Sequence, residues 1–204
     1  MNINTETFRN VRKMPALFTI DRVNNIGTDE INPASEWIFT EPAIATIKRD
    51  GTNITVMSDG SVWARRAVKK GKVAPPNFIL AETDSITGHS FGVEPMNQSS
   101  FKKFILEALK NFEGELTEGT FELVGPRVQG NPENFEKHML IPHGTEIATE
   151  IPNMLEINKE EAHSVLKEIF TDFKNRGIEG VVWAGAEGKR VKLRVKDFFG
   201  NSHR

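Results

Sequence analysis

The chain has 204 residues, 38% of them hydrophobic and 26% charged, with a formal net charge of −2 and a pI near 6.2. That balance suits one compact domain or two fused lobes and excludes a disordered chain. There is no cysteine, which removes disulfides, thiolate nucleophiles and cysteine metal sites.

No apolar run approaches membrane-spanning length, and residues 1–7 lack a basic-then-apolar leader. The expectation is a cytoplasmic protein with neither signal peptide nor membrane anchor. A small negative charge also excludes a protein that coats nucleic acid by charge alone, so any such contact needs a local basic surface.

Residues 1–40 are broken by Thr19, Asp21, Asn24, Asn25 and Pro33 and read as irregular. Strands are predicted over 43–49, 54–57 and 61–66, with Asp50-Gly51 and Asp59-Gly60 as turns, making a meander. Ser99 or Ser100 caps a helix to about Phe112, with Phe101, Phe104, Ile105, Ala108 and Leu109 on its apolar face. A strand follows over 120–124. Asn158 and Glu161 make a capping-box pair for a second helix, in which Ala162, Val165, Leu166, Ile169, Phe170 and Phe173 recur at helical spacing. Gly177 falls where a left-handed cap would end it. Strands over 178–183 and 191–195 close the chain. In the second, Val191, Leu193 and Val195 alternate with Lys192, Arg194 and Lys196, so the three cations share one face. The order gives an α+β domain on antiparallel sheet, taken as a single domain over 1–204.

The chemistry-bearing segments start with Ile47-Lys48-Arg49-Asp50-Gly51. A lysine at a strand end can act as a nucleophile on phosphorus if burial and nearby cations lower its pKa. The same residues also suit a plain hairpin turn. Val62-Trp63-Ala64-Arg65-Arg66 ends a strand in two arginines. Glu122 interrupts an apolar strand, as a solvated side chain or as an acceptor for ribose hydroxyls. Glu179 precedes another apolar strand and has the oxygen donor that Mg²⁺ or Mn²⁺ favours. Arg65, Arg66, Lys69, Lys70 and Lys72 form a second basic patch, either a solvated loop or a path for an RNA backbone.

In this order the segments resemble the covalent nucleotidyltransferase superfamily of ATP-dependent ligases and RNA-capping guanylyltransferases. Lys48-Arg49-Asp50-Gly51 matches its K-x-D-G nucleophile motif, and Arg65 stands where the family has a phosphate- or ribose-contacting arginine. Phe121-Glu122-Leu123, Glu179-Gly180-Val181-Val182 and Lys192-Leu193-Arg194 look like its third, fourth and fifth motifs.

Glu122 through Pro126, Gln129-Gly130-Asn131-Pro132, His138 and Ile141-Pro142-His143-Gly144 resemble a small family of RNA ligases known from vertebrates, viruses and some bacteria. The resemblance implies an α+β nucleotidyltransferase fold, an ATP-grasp-like ligase adenylation domain of antiparallel sheets flanked by helices. Eight residues follow Lys196, so no OB-fold domain is expected.

It further implies ATP as substrate and Mg²⁺ or Mn²⁺ as cofactor. The expected partner is RNA with 5′-phosphate and 3′-hydroxyl ends, with no obligate protein partner and no membrane. Lys48, Asp50 and Lys192 take catalytic roles. Thr46, Ile47, Arg65, Glu122, His138 and Arg194 contact the nucleotide, Thr46 and Ile47 through backbone at the adenine edge. Glu179 positions the metal. For the residue that stacks on the base, Phe135, His138 and His143 all qualify.

Overall fold

A computed structural model describes residues 10–200; the leader expectation at residues 1–7 lies outside them. In chain order the elements are β1 (Phe18–Asp21), β2 (Ile26–Ile31), β3 (Ile44–Lys48), β4 (Thr52–Val56), β5 (Val62–Val68), β6 (Ile79–Thr83) and β7 (Ser90–Pro95). Then come α1 (Lys102–Lys110), β8 (Gly119–Val124), β9 (Met139–Pro142), α2 (Ala162–Asn175), β10 (Gly180–Ala184), β11 (Arg190–Arg194) and α3 (Val195–Phe199). The mixture of antiparallel sheets and few helices agrees with the expected α+β class. The residues cluster into two compact units: one holds 50–143 with the described part of 1–13, the other 14–49 with the described part of 144–204.

The first unit is built on a six-stranded antiparallel sheet in the order β6-β7-β5-β4-β8-β9. Ile54, Ala64 and Phe121 pair across three strands and so share a face. Together with Leu123 and Leu140 they pack on Ile105 and Ala108 of α1. The predicted apolar stripe of that helix is therefore what covers the sheet. Thr55, Trp63 and Thr120 form the next row and point the other way. Two residues along β8 and β5, Glu122 and Arg65 lie on that same second face.

The second unit holds a two-stranded sheet, β1-β2, and a three-stranded sheet, β11-β10-β3. Its core gathers Trp183, Val181, Val191 and Leu193 from the sheet with Leu166, Phe170 and Phe173 from α2. Phe198 of α3 meets Phe170 edge-on, with ring centroids 5.2 Å apart. Truncating one such fully buried phenylalanine costs about 3–5 kcal/mol.

Several expectations need correction. Residues 18–31 form a hairpin of two strands, not irregular chain. The three-strand meander does not form: β4 and β5 pair, but β3 pairs with β10. Asp50-Gly51 is thus a passage from one sheet to another, not a hairpin turn.

The Asn158–Glu161 capping box is also absent. Asn158 Oδ1 accepts from Glu160 N–H at 3.2 Å, one residue early, and Glu161 caps α2 without a side-chain hydrogen bond. Gly177 does take a left-handed φ of 74°, with Ile178 N–H donating to Phe173 C=O at 3.0 Å. The stripe of three cations shortens to Lys192 and Arg194, because α3 starts at Val195 and carries Lys196 away.

Candidate active site

The register of the three-stranded sheet determines which side chains can meet. Lys48, Gly180 and Arg194 form one cross-strand row, and Thr46, Val182 and Lys192 form the row beside it. Directly paired residues of antiparallel strands project to one face. Lys48, Lys192 and Arg194 therefore share a face, while the alternating rows bury Val181, Leu193, Trp183 and Val191 on the other. Gly180 leaves the middle of the Lys48–Arg194 row without a side chain. A Cβ there would sit 2.1 Å from Leu193 O, so only glycine fits.

Glu179, just before β10, receives the Lys48 ammonium as a close ion pair. Its carbonyl is fixed by Val195 N–H at 2.8 Å. The pair is partly buried, with 24% and 17% of the two side chains exposed. Its strength thus lies between the ~1 kcal/mol of an exposed pair and the ~3–5 kcal/mol lost on breaking a buried one. Lys192 has a pKa pushed down to about 7, first by burial, then by the charges of Arg194 and Lys48; Glu179 and Asp197 oppose this. Three cations share one sheet face here, against two carboxylates. Such a surface favours an anion with several oxygens.

Arg194 is held by Asp197, which the sequence reading missed. Its Nη2 donates to Asp197 Oδ1 at 2.7 Å and its backbone N–H to Oδ2 at 2.9 Å. Asp197 is only 2% exposed, so the guanidinium is anchored at the sheet edge. Once α3 is known, an acid three residues after the strand end is a recognisable helix-start signal.

Arg49 is similarly engaged by Glu146, its Nε donating at 3.1 Å. The backbone around Glu146 runs along the free side of β3: Ile47 N–H donates to Glu146 C=O at 2.8 Å, and Ala148 N–H to Ala45 C=O at 2.9 Å. Of the Thr46 and Ile47 backbone expected at the adenine edge, the Ile47 N–H is therefore already used within the protein. Thr46 spends its hydroxyl on Val182 C=O, at 3.2 Å.

In the first unit, Arg65 Nε donates to Val11 C=O at 2.9 Å, and its guanidinium lies 4.7 Å over the Phe91 ring. Burial lowers the Arg65 pKa, while the charges of Glu122 and Glu82 act in the opposite sense. Glu122 accepts from His143 Nε2 at 2.7 Å.

Gly51, the last residue of the Lys48-Arg49-Asp50-Gly51 motif, packs against β8. A Cβ on it would lie 2.2 Å from Leu123 O and 2.8 Å from Glu122 Cγ. The motif's glycine is thus required by close approach, and Asp50 occupies the bend just before it.

His138 is a further expected nucleotide contact. Only 4% exposed, it stacks on Phe104 with centroids 4.6 Å apart and accepts the Arg127 N–H at 3.3 Å through Nε2. Its Nδ1 lies 3.1 Å from Glu107 Oε2, at an angle that makes no hydrogen bond. The ring is thus buried against α1.

Among the described residues, no group of three or more His, Asp or Glu side chains converges on a metal-sized site. Nor is any helix among them long and apolar enough to cross a membrane.

Comparison with known proteins finds similarity to RNA ligases over part of the chain. Residues 105–201 match the family model described as RNA ligase 1. An 84-residue stretch is 33% identical to RNA ligase 1 of Pongo abelii and 32% identical to that of Mus musculus. It covers 39% of this chain and 24% of each relative, so the match spans about a quarter of those proteins' length. The family-model match includes Glu122, Glu179, Lys192 and Arg194; Lys48, Asp50 and Arg65 lie N-terminal to it.

Proposed function

We propose that the protein is an ATP-dependent RNA ligase that carries AMP on Lys48 and joins 5′-phosphate and 3′-hydroxyl RNA ends. The observation that carries this reading is the shared sheet face of Lys48, Lys192 and Arg194, with Glu179 bonded to the Lys48 amine. The family relationship supports RNA as the substrate.

In the first step the Lys48 amine, having lost its proton, attacks the α-phosphorus of ATP. A phosphorus–nitrogen bond forms, the bond to the bridging oxygen breaks, and pyrophosphate leaves. In the second, an oxygen of an RNA 5′-phosphate attacks the same phosphorus and the lysine regains its amine. In the third, a 3′-hydroxyl attacks the adenylylated 5′-phosphate, closing the phosphodiester and releasing AMP.

Lys192 and Arg194 would neutralise the α-phosphate oxygens, with Arg194 kept in place by Asp197. Lys192, near neutrality at physiological pH, gains a proton when an anion arrives and so strengthens that anion's binding. Glu122 and Arg65 take the ribose and phosphate contacts that the family resemblance implies, and Asp50 with Gly51 fixes the motif's bend. The RNA backbone is assigned to exposed Arg66, Lys69, Lys70 and Lys72, in a stretch over 62–78 that contains no acid.

The carboxylate of Glu179 is the group that would hold Mg²⁺ or Mn²⁺. One carboxylate suits Mg²⁺, which keeps several waters and takes substrate phosphates in place of a full protein cage. When bound, the metal supplies further neutralisation of phosphate charge.

The test is covalent labelling by α-³²P-ATP followed by sealing of a 5′-phosphorylated RNA. Label from ATP that is lost in Lys48→Ala supports the reading. Label from GTP alone indicates RNA capping, and no label at all indicates a binding module.

A further inference from the structure

We propose that His143 is a positioning residue for Glu122, fixing the carboxylate so that it discriminates ribose hydroxyls. This rests on the ribose-binding reading of Glu122 given above.

The backbone sets the geometry. Phe121 pairs with Pro142 at the end of β9, and His143 N–H donates to Thr120 C=O at 3.1 Å. The imidazole thereby stands over two residues of one β8 face, Thr120 and Glu122. Its Nδ1 is 3.0 Å from Thr120 Oγ1 and its Nε2 is 2.7 Å from Glu122 Oε2.

The chemistry gives the row a direction. Asn10 Nδ2, which can only donate, gives a hydrogen bond to Thr120 Oγ1. The Glu122 carboxylate accepts from Nε2, so that nitrogen carries a proton. In the neutral ring Nδ1 is then the acceptor for the Thr120 hydroxyl, whose other lone pairs take the Asn10 donor. This tautomer is assigned from the network of partners.

Asn10 is tied in again by its carbonyl, which accepts from Asn53 Nδ2 at 3.3 Å, and Asn53 pairs with Glu122 across the sheet. The row Asn10–Thr120–His143–Glu122 thus runs from backbone-anchored residues to one acid. Glu122 is mostly buried and His143 about one quarter exposed.

An acid held at one oxygen by a ring that cannot rotate has one orientation left. That is what a recognition carboxylate needs: a hydroxyl is discriminated well only when its acceptor is fixed and would be left unpaired without it. A role confined to stapling β8 to β9 would make no such demand on the Nε2 proton.

The test is the single-turnover rate of self-adenylylation against the concentration of ATP, 2′-deoxy-ATP or 3′-deoxy-ATP, in wild type, His143→Ala, His143→Gln, Thr120→Val, Glu122→Gln and the double variant His143→Ala/Glu122→Gln. Thermal unfolding of each variant confirms that it is folded. His143→Ala should raise the half-saturating ATP concentration about tenfold with the maximal rate little changed, the size of effect expected from loss of one charge-assisted hydrogen bond. It should also flatten the ratio of ATP to whichever deoxy analogue wild type rejects.

Glu122→Gln should flatten the same ratio, and the double variant should be no worse than Glu122→Gln alone. Thr120→Val, which frees the tautomer, should fall between wild type and His143→Ala. His143→Gln, whose amide can still donate, should keep part of the discrimination. If His143→Ala and Thr120→Val retain the full ratio while Glu122→Gln loses it, the positioning role is overturned and the reading of Glu122 stands. If Glu122→Gln itself retains the ratio, the ribose reading fails and the proposal fails with it.

Discussion

The Lys48 ammonium and the Glu179 carboxylate form an ion pair although 131 positions separate them in the chain. The pairing of β3 with β10 makes this possible: Lys48 lies opposite Gly180, and the residue before that glycine supplies the acid. Glu179→Gln keeps the shape and removes the charge. It should lower self-adenylylation by roughly a hundredfold, in the range seen when one group that stabilises transition-state charge is removed. Its unfolding free energy should fall by about 1–3 kcal/mol, as for a partly buried pair. A rate assay beside urea denaturation separates the two effects.

Gly51 offers a second check. Gly51→Ala puts a methyl 2.2 Å from Leu123 O and against Glu122, so β4 or β8 must move. Overpacking of this kind costs about 1–3 kcal/mol. Gly60 has open space around it but a φ of +78°, so Gly60→Ala should cost only about 1 kcal/mol. The order of the two, read from denaturant midpoints, is the prediction.

Lys192 links the site to pH. Its folded pKa, about 7, is far below that of the unfolded chain. Between about pH 7 and 10 the unfolded state binds more protons, so stability rises with pH across this window. Lys192→Met should flatten that rise. ATP binding at pH 8 should take up protons in wild type, seen as calorimetric heats that depend on buffer ionisation, and the same variant should abolish the uptake.

His163 lies between Phe18 and Phe198, each ring centroid 5.1 Å away. Burial, aided by Lys167, lowers its pKa. The unfolded chain therefore takes a proton first as pH falls below about 6.5, and the fold loses stability there. His163→Phe should be less sensitive to acid in that range, measured as the thermal midpoint against pH.

The cationic tip can be tested by salt. Replacing Lys69, Lys70 and Lys72 with alanine should reduce the slope of log affinity for single-stranded RNA against log salt by about 2, at ~0.7 for each phosphate no longer neutralised. Self-labelling should be unchanged.

Much of this arrangement can be read from the sequence, and the gaps have identifiable causes. The alternation in 191–194 puts Lys192 and Arg194 on one face, as the structure has it. The helix after Asn158 and the cap at Gly177 are legible because burial and left-handed φ act on local residue types. Local signals failed where pairing is non-local. Asp50-Gly51 has the composition of a hairpin turn, yet β3 pairs with a strand more than 130 residues away. The β1–β2 hairpin was hidden because its strands are only partly buried and so lack a strong period of two. His138 shows the limit for sites: its residue type suits a nucleotide pocket, and only burial against Phe104 reveals packing.

The central claim concerns one nitrogen. Wild-type protein incubated with α-³²P-ATP and a divalent cation, then denatured, should retain label that is stable to alkali and released by acid or hydroxylamine, as a phosphoramidate is. Peptide mapping should find the adenylate on Lys48, and Lys48→Ala should carry none. Label on another residue, or undiminished label in Lys48→Ala, would contradict the account.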